Sequence, residues 1–193
     1  AEVLGDNPDA LWAMTEIEIN RRDVAPALKR VVVSVDPAVS ENKKSDETGI
    51  VVCGIGYDND HGMRDDPISR IHGDGLRPIE HGYVLEDLSG KHAPSAWGRL
   101  AVEACLKWGA VAVTERNKVG SLGKENIEAA ARAYDEEARR AGRPAVAQRT
   151  IKVIEKLSRG SKETRAQPIA TMYQKGYVHH VGHHASLEQE LTE

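Results

Sequence analysis

Val31-Val32-Val33-Ser34-Val35-Asp36-Pro37 is an almost unbroken β-branched run that stops on an acid and a proline. Continuous apolar runs of this length suit a central strand buried on both faces, and the proline ends it because it has no N–H for a ladder. Working outward, Thr48–Ile55 reads as a second strand, after a polar turn over residues 40–47. Residues 57–80 are charged and rich in Gly and Asp, as an exposed hairpin loop would be, and Tyr83–Leu88 gives a third strand. The period then changes. Trp97, Leu100, Ala101, Ala104, Cys105 and Trp108 fall on one helical face, opened near Pro94-Ser95 and stopped by Gly109. Ala110–Glu115 is a fourth strand, and Ile127, Ala130, Ala131, Tyr134 and Ala138 mark a second helix. Thr150–Ile154 is read as a fifth strand, and Ala166, Ile169, Ala170 and Tyr173 as a third helix stopped at Gly176. A short strand at Tyr177–Val181 follows, and Leu187–Glu193 looks like a helix that is cut off.

The order β-β-β-α-β-α-β-α predicts an antiparallel meander followed by crossovers, with the fourth strand parallel to the first. The expected fold class is α/β, a ribonuclease H-like mixed five-stranded sheet flanked by helices. Residues 1–29 carry little periodicity and read as a lead-in arm, leaving 30–193 as the domain proper.

Asp36 and Glu115 each end a strand, and the predicted pairing sets them at the same carboxyl edge of the sheet. Adjacent strands lie about 4.8 Å apart, so two carboxylates there repel unless a cation lies between them. Hard oxygen ligands suit Mg2+ or Mn2+, and a pair of such ions can clamp both oxygens of a phosphodiester displacement. Spacing alone leaves a second reading open, in which each acid caps a strand-end loop. Asp46 lies on a loop, where it supports the site or forms a turn. Asp87 ends the third strand, as a neighbour of the metal site or as a cap.

These residues carry a resemblance. Arg30–Ala38 with Ser45–Val52, Tyr83–Ser89, Pro94–Trp97, Thr114-Glu115-Arg116-Asn117 and Lys162–Arg165 follow in order with Pro168, Tyr173–Val178 and Leu187-Glu188. This succession resembles the nuclease domain of phage terminase large subunits, and Ala10-Leu11-Trp12 resembles the segment that joins motor to nuclease there. The resemblance implies a metal-dependent endonuclease that cuts concatemeric double-stranded DNA by two-metal hydrolysis. Asp36 and Glu115 match the first two metal-binding acids, and Asp46 a further recurrent acid. It also implies an ATPase domain on the same polypeptide, a small terminase subunit and a portal as partners. The expected place is the host cytoplasm, transiently at the procapsid portal. Two departures stand out. Gly120–Lys124 and Ser158–Lys162 lack Walker spacing, so no P-loop is present. The third acid of the resemblance is also missing and is expected beyond residue 193.

Charge points the same way. Nine basic residues lie between 139 and 165 against two acids, Glu155 and Glu163, a local excess of seven on a chain of net charge −4. Arg149, Lys152, Lys156, Arg159, Lys162 and Arg165 are therefore the candidate DNA-backbone contacts, with an ordinary solvated face as the plain alternative.

Other features exclude more than they assign. Gly54-x-Gly56 is too short for a dinucleotide motif, and Cys53 and Cys105 sit in apolar runs without a CxxC pair, as buried free thiols do. No apolar run is long enough for a membrane helix. His179 and His180 would point to opposite faces of a strand, which spoils a simple chelate, though His183 or His184 could still reach the active edge; the four are read as surface or turn histidines, with a zinc site as the alternative. The main functional expectation is the endonuclease. The alternative is a catalytically weak DNA- or portal-binding module of the same fold. An actin-like ATPase half also starts with a strand ending in Asp, but it needs glycine-rich phosphate loops, and none are found.

Overall fold

The opening run forms β1 (Leu28–Asp36) in a computed structural model describing residues 7, 10–38, 47–57, 79–116, 121–157 and 160–193. It is followed by β2 (Gly49–Tyr57), β3 (Glu80–Asp87), α2 (Pro94–Trp108), β4 (Val111–Glu115) and α3 (Leu122–Arg140). Then come α4 (Ala147–Thr150), β5 (Val153–Lys156), α5 (Lys162–Gln174), β6 (Val178–His180) and α6 (Ala185–Thr192), with α1 (Met14–Ile19) preceding them all. The six strands are ordered β5-β4-β1-β2-β3-β6. Antiparallel and parallel strands mix in this sheet, with β1–β4, β4–β5 and β3–β6 parallel. The α/β class and the ribonuclease H-like order therefore match the expectation, with one strand more than the five predicted. The short strand after Gly176 is that sixth member, and it pairs with β3.

Two compact units divide the chain: Ala1–Arg30, Gly54–Leu85 and Lys162–Glu193 in one, Val31–Cys53 and Glu86–Ser161 in the other. In the second unit, Val33, Val35, Ile50, Val52, Ala112 and Thr114 are buried. Alternate residues of one strand point to opposite faces, so these define the covered face of the sheet. Pro94 fits the first turn of α2, where its missing N–H has no intrahelical partner. Gly109 closes that helix in the left-handed conformation with φ of 60°. Trp97, Ala101, Ala104 and Cys105 are buried as the periodicity demands, and Val102 joins them. Gly98 lets α2 meet α3 closely, since an added Cβ there would lie 3.1 Å from the Ala130 Cβ. Cys105 and Cys53 are free thiols, pushed up to about 12 and about 11 by burial, and hence poor nucleophiles.

The amino-terminal turn of α3 sits directly on β4. A Cβ at Gly123 would lie 2.2 Å from Thr114 Oγ1, well inside contact distance. Gly123→Ala is therefore expected to cost roughly 1–3 kcal/mol, as overpacked core positions do. Thermal melting of the variant measures this, and an unchanged Tm would mean that the helix end yields freely.

The fifth strand lies three residues further on than the sequence predicts. Asp135, buried in α3, accepts hydrogen bonds from the Ala147 N–H at 2.8 Å and the Gln148 N–H at 3.1 Å. Those bonds hold residues 147–150 in a helical turn, so Thr150 ends a helix and Val153 starts the strand. Burial on its own raises the Asp135 carboxyl, but these donors outweigh it and hold it below the usual range.

In the other unit, the arm expected over residues 1–29 includes α1, whose Ile17 is buried. Trp12 lies edge-on to Tyr173 with ring centroids 6.2 Å apart. Arg22 forms a parallel bridge with Val181 through Arg22 N–H to His180 O and Gly182 N–H to Arg22 O, both 2.9 Å.

Candidate metal centre

Asp36 and Glu115 end β1 and β4, two neighbouring parallel strands. The register pairs Val32 with Val111 and continues to Val35 with Thr114. One further step brings Asp36 beside Glu115, about 4.8 Å away along the hydrogen-bonding direction. Val35 and Thr114 are buried on the helix side, so the alternation turns both acids to the opposite face. Asp36 is exposed and Glu115 half-buried. Among the described residues Asp36 has no hydrogen-bond or ion-pair partner. On its other side lies Gly49 of β2, where an added Cβ would be 3.8 Å from the Asp36 Cβ. Gly49 itself puts no side chain beside Asp36.

The donor chemistry fits a hard divalent cation. Two carboxylates one strand apart supply anionic oxygens, and water or a phosphate can complete the shell. Asp87 lies farther off, because β2 separates its strand from β1, which sets it about 10 Å to the side. Its Oδ1 accepts a 3.0 Å hydrogen bond from the Ser89 N–H, and Ser89 Oγ in turn accepts the Ile50 N–H at 3.0 Å. That arrangement matches the cap of a strand end. Asp46 lies outside the described residues.

The basic candidates separate into groups. Arg149 lies in the short α4 and Lys152 just precedes β5, at the amino end of that strand. Lys156 ends β5 and is paired in register with Glu115. At about 3.3 Å per residue, Lys152 and Lys156 are roughly 13 Å apart along the chain. All three are exposed. Lys162 and Arg165 are exposed residues of α5, which belongs to the other compact unit, and Arg159 lies outside the described residues.

His183, exposed, and His184, half-buried, lie in the loop before α6 as a surface or turn reading expects, but His179 and His180 correct that reading. His179 and His180 are 0% and 1% exposed. His179 Nδ1 donates to the Asn20 carbonyl at 2.7 Å, so in the neutral ring Nε2 accepts from His81 Nδ1–H at 2.8 Å. His180 Nδ1 donates to Glu188 Oε1 at 2.8 Å, and its Nε2 accepts the Tyr173 hydroxyl at 2.8 Å. Glu188 also takes Arg21 Nη1 at 2.6 Å, and Arg21 reaches Glu18 at 2.5 Å. No local spacing could reveal these partners, because Asn20 and Arg21 lie some 160 residues away in the chain.

Glu18, His183 and Glu188 also bring three ligand atoms within 4.8 Å of one another. The Arg21 guanidinium already bridges the two carboxylates there, in the position a metal would need. Asp36, at the acid edge of β1 and β4, meets no such cation among the described residues, and that edge is the better candidate.

No protein-family model and no curated protein sequence matches the chain. Among solved structures, the nuclease domain of the human cytomegalovirus terminase superposes with a TM-score of 0.51 over 92% of this chain and 81% of that one. Sequence identity between the two is 16%, so the similarity is one of fold. The architecture reached from the strand order and the one found by superposition agree: the chain has the fold of a viral terminase nuclease domain.

Proposed function

We propose that the chain is a divalent-metal-dependent DNA endonuclease domain of a packaging terminase, cutting double-stranded DNA by phosphodiester hydrolysis. The observation that carries this reading is the acid pair: Asp36 and Glu115 on adjacent parallel strands, one register step past Val35 and Thr114. The fold likeness to a terminase nuclease domain supports it independently. Asp36 and Glu115 would hold Mg2+ or Mn2+, which when bound supplies charge stabilisation at the phosphoryl group and a water of lowered pKa. Asp36 would supply a carboxylate oxygen from an exposed position, and Glu115 one from a half-buried position. Asp46 would serve as a supplementary acid, and Asp87 as a more distant one. Arg149, Lys152, Arg159, Lys162 and Arg165 would meet the phosphate backbone, which gives grip without base preference. An ATPase domain, a small terminase subunit and a portal are the partners this role requires, with the host cytoplasm as its place of action.

Supercoiled plasmid is expected to be nicked and linearised in Mn2+ or Mg2+, with activity lost in EDTA and regained on adding excess metal. DNA binding that persists without any metal-dependent cutting would favour the binding-module alternative.

A further inference from the structure

The geometry points to Lys156 as the cation of the active site, contacting the phosphate under attack rather than tracking the duplex with the other basic residues. This inference rests on the acid-pair reading of Asp36 and Glu115.

Three strands bring the group together. β4 pairs with β5 so that Thr114 lies beside Glu155 and Glu115 beside Lys156. Combined with the β1–β4 register, Asp36, Glu115 and Lys156 form one row across three adjacent parallel strands. Residues in register on parallel strands project to the same face. The preceding row faces the helices: Val35 and Thr114 are each 2% exposed, and the Glu155 Oε2 accepts the Ser121 hydroxyl at 3.2 Å. Lys156 therefore shares the open face with the two acids, one strand spacing from Glu115 and two from Asp36. It is exposed, and among the described residues it forms no ion pair. Its neighbour in this role differs by chain position alone: Lys152 lies at the opposite end of β5.

The chemistry calls for such a group. Hydrolysis adds a water oxygen to phosphorus, that water giving up a proton to solvent, and breaks the bond to the 3′ or 5′ ester oxygen, which leaves with a proton from solvent. The phosphoryl oxygens gain negative charge as the new bond forms. A lysine ammonium is a compact, mobile point charge suited to a non-bridging phosphate oxygen. Placed a few ångströms from where that charge grows, it stabilises the transition state more than the ground state. Removing one such donor typically lowers turnover on the order of 100-fold.

The test separates rate from grip. Single-turnover cleavage of a duplex is measured in Mn2+ at saturating protein, and the Kd for the same duplex in Ca2+, for wild type, Lys156→Met, Lys156→Arg and Asp36→Asn. Lys156→Met is expected to lose on the order of 100-fold in saturated rate. Its Kd should rise by less than about 10-fold, the loss of a single phosphate contact. Lys156→Arg should restore a large part of the rate, since the charge is kept. A saturated rate for Lys156→Met within threefold of wild type, or a loss that vanishes as DNA saturates, assigns Lys156 to backbone grip and overturns the inference. If Asp36→Asn is inactive in that same experiment, the acid-pair reading survives this failure. If Asp36→Asn cuts like wild type, or wild type does not cut in Mn2+ or Mg2+, the acid-pair reading fails and the inference with it.

Discussion

Asp36→Asn should lower metal-dependent cleavage by on the order of 1,000-fold or more and leave the fold intact. An amide keeps the shape of the side chain but gives a divalent ion a neutral, weaker oxygen in place of an anionic one. Among the described residues no contact depends on the charge, because Asp36 is exposed and has no hydrogen-bond partner there. Its removal also ends the repulsion from Glu115, worth about 1 kcal/mol for two unit charges about 5 Å apart in water. In EDTA the variant should therefore melt no lower than wild type. Metal adds a second signature, independent of catalysis. A bound ion stabilises only the state that holds it, so Mn2+ should raise the wild-type Tm and leave that of the variant nearly unchanged. Glu115→Gln should behave alike in both measurements. Cleavage by either variant at the wild-type rate, or an equal metal-induced rise in Tm, would place the site elsewhere.

Local patterns in the sequence carry that site well. The run ending at Asp36 and the run ending at Glu115 are both legible because their strands are buried and therefore continuously apolar. The parallel relation follows from the helix between the third and fourth strands, since a crossover has room for little else. Lys156 is harder. Reading the fifth strand as Thr150–Ile154 puts its end two residues short, and the row with Glu115 does not form. The correction comes from Asp135, which fixes the 147–150 turn from 12 residues upstream. A buried aspartate on a helix looks like any polar position in a sequence, so its cap is invisible without the fold. The same limit hid the histidines. Alternation correctly sends His179 and His180 to opposite faces of β6, and each finds its own buried polar partners there. Their burial depends on Asn20, Arg21 and His81, all remote in the chain and unremarkable in spacing.

Glu188→Gln should destabilise the chain by roughly 3–5 kcal/mol at neutral pH, the usual cost of breaking one side of a buried ion pair. Glu188 is 4% exposed and its carboxylate serves three donors: the Arg21 guanidinium, the His180 ring and the His184 N–H. Burial alone would raise its pKa, but these donors outweigh burial and hold it at about 2 instead of 4.5. A carboxyl depressed in this way stabilises the folded state fully above its unfolded pKa and ceases to do so as pH falls toward 2. That contribution is on the order of 3 kcal/mol. His180 acts in the same direction by another route. Burial lowers its pKa despite the opposing pull of Glu188, so the unfolded chain takes up a proton first as pH drops below about 6.5. Urea unfolding from pH 7 down to 3 should thus show wild-type stability declining in two stages, histidine first and carboxylate below about pH 5. In the glutamine variant the second stage should shrink, so the gap between the two proteins narrows with acidity. An unfolding free energy within 0.5 kcal/mol of wild type at pH 7, or a gap that stays constant with pH, would mean that the Arg21–Glu188–His180 cluster adds little to the fold.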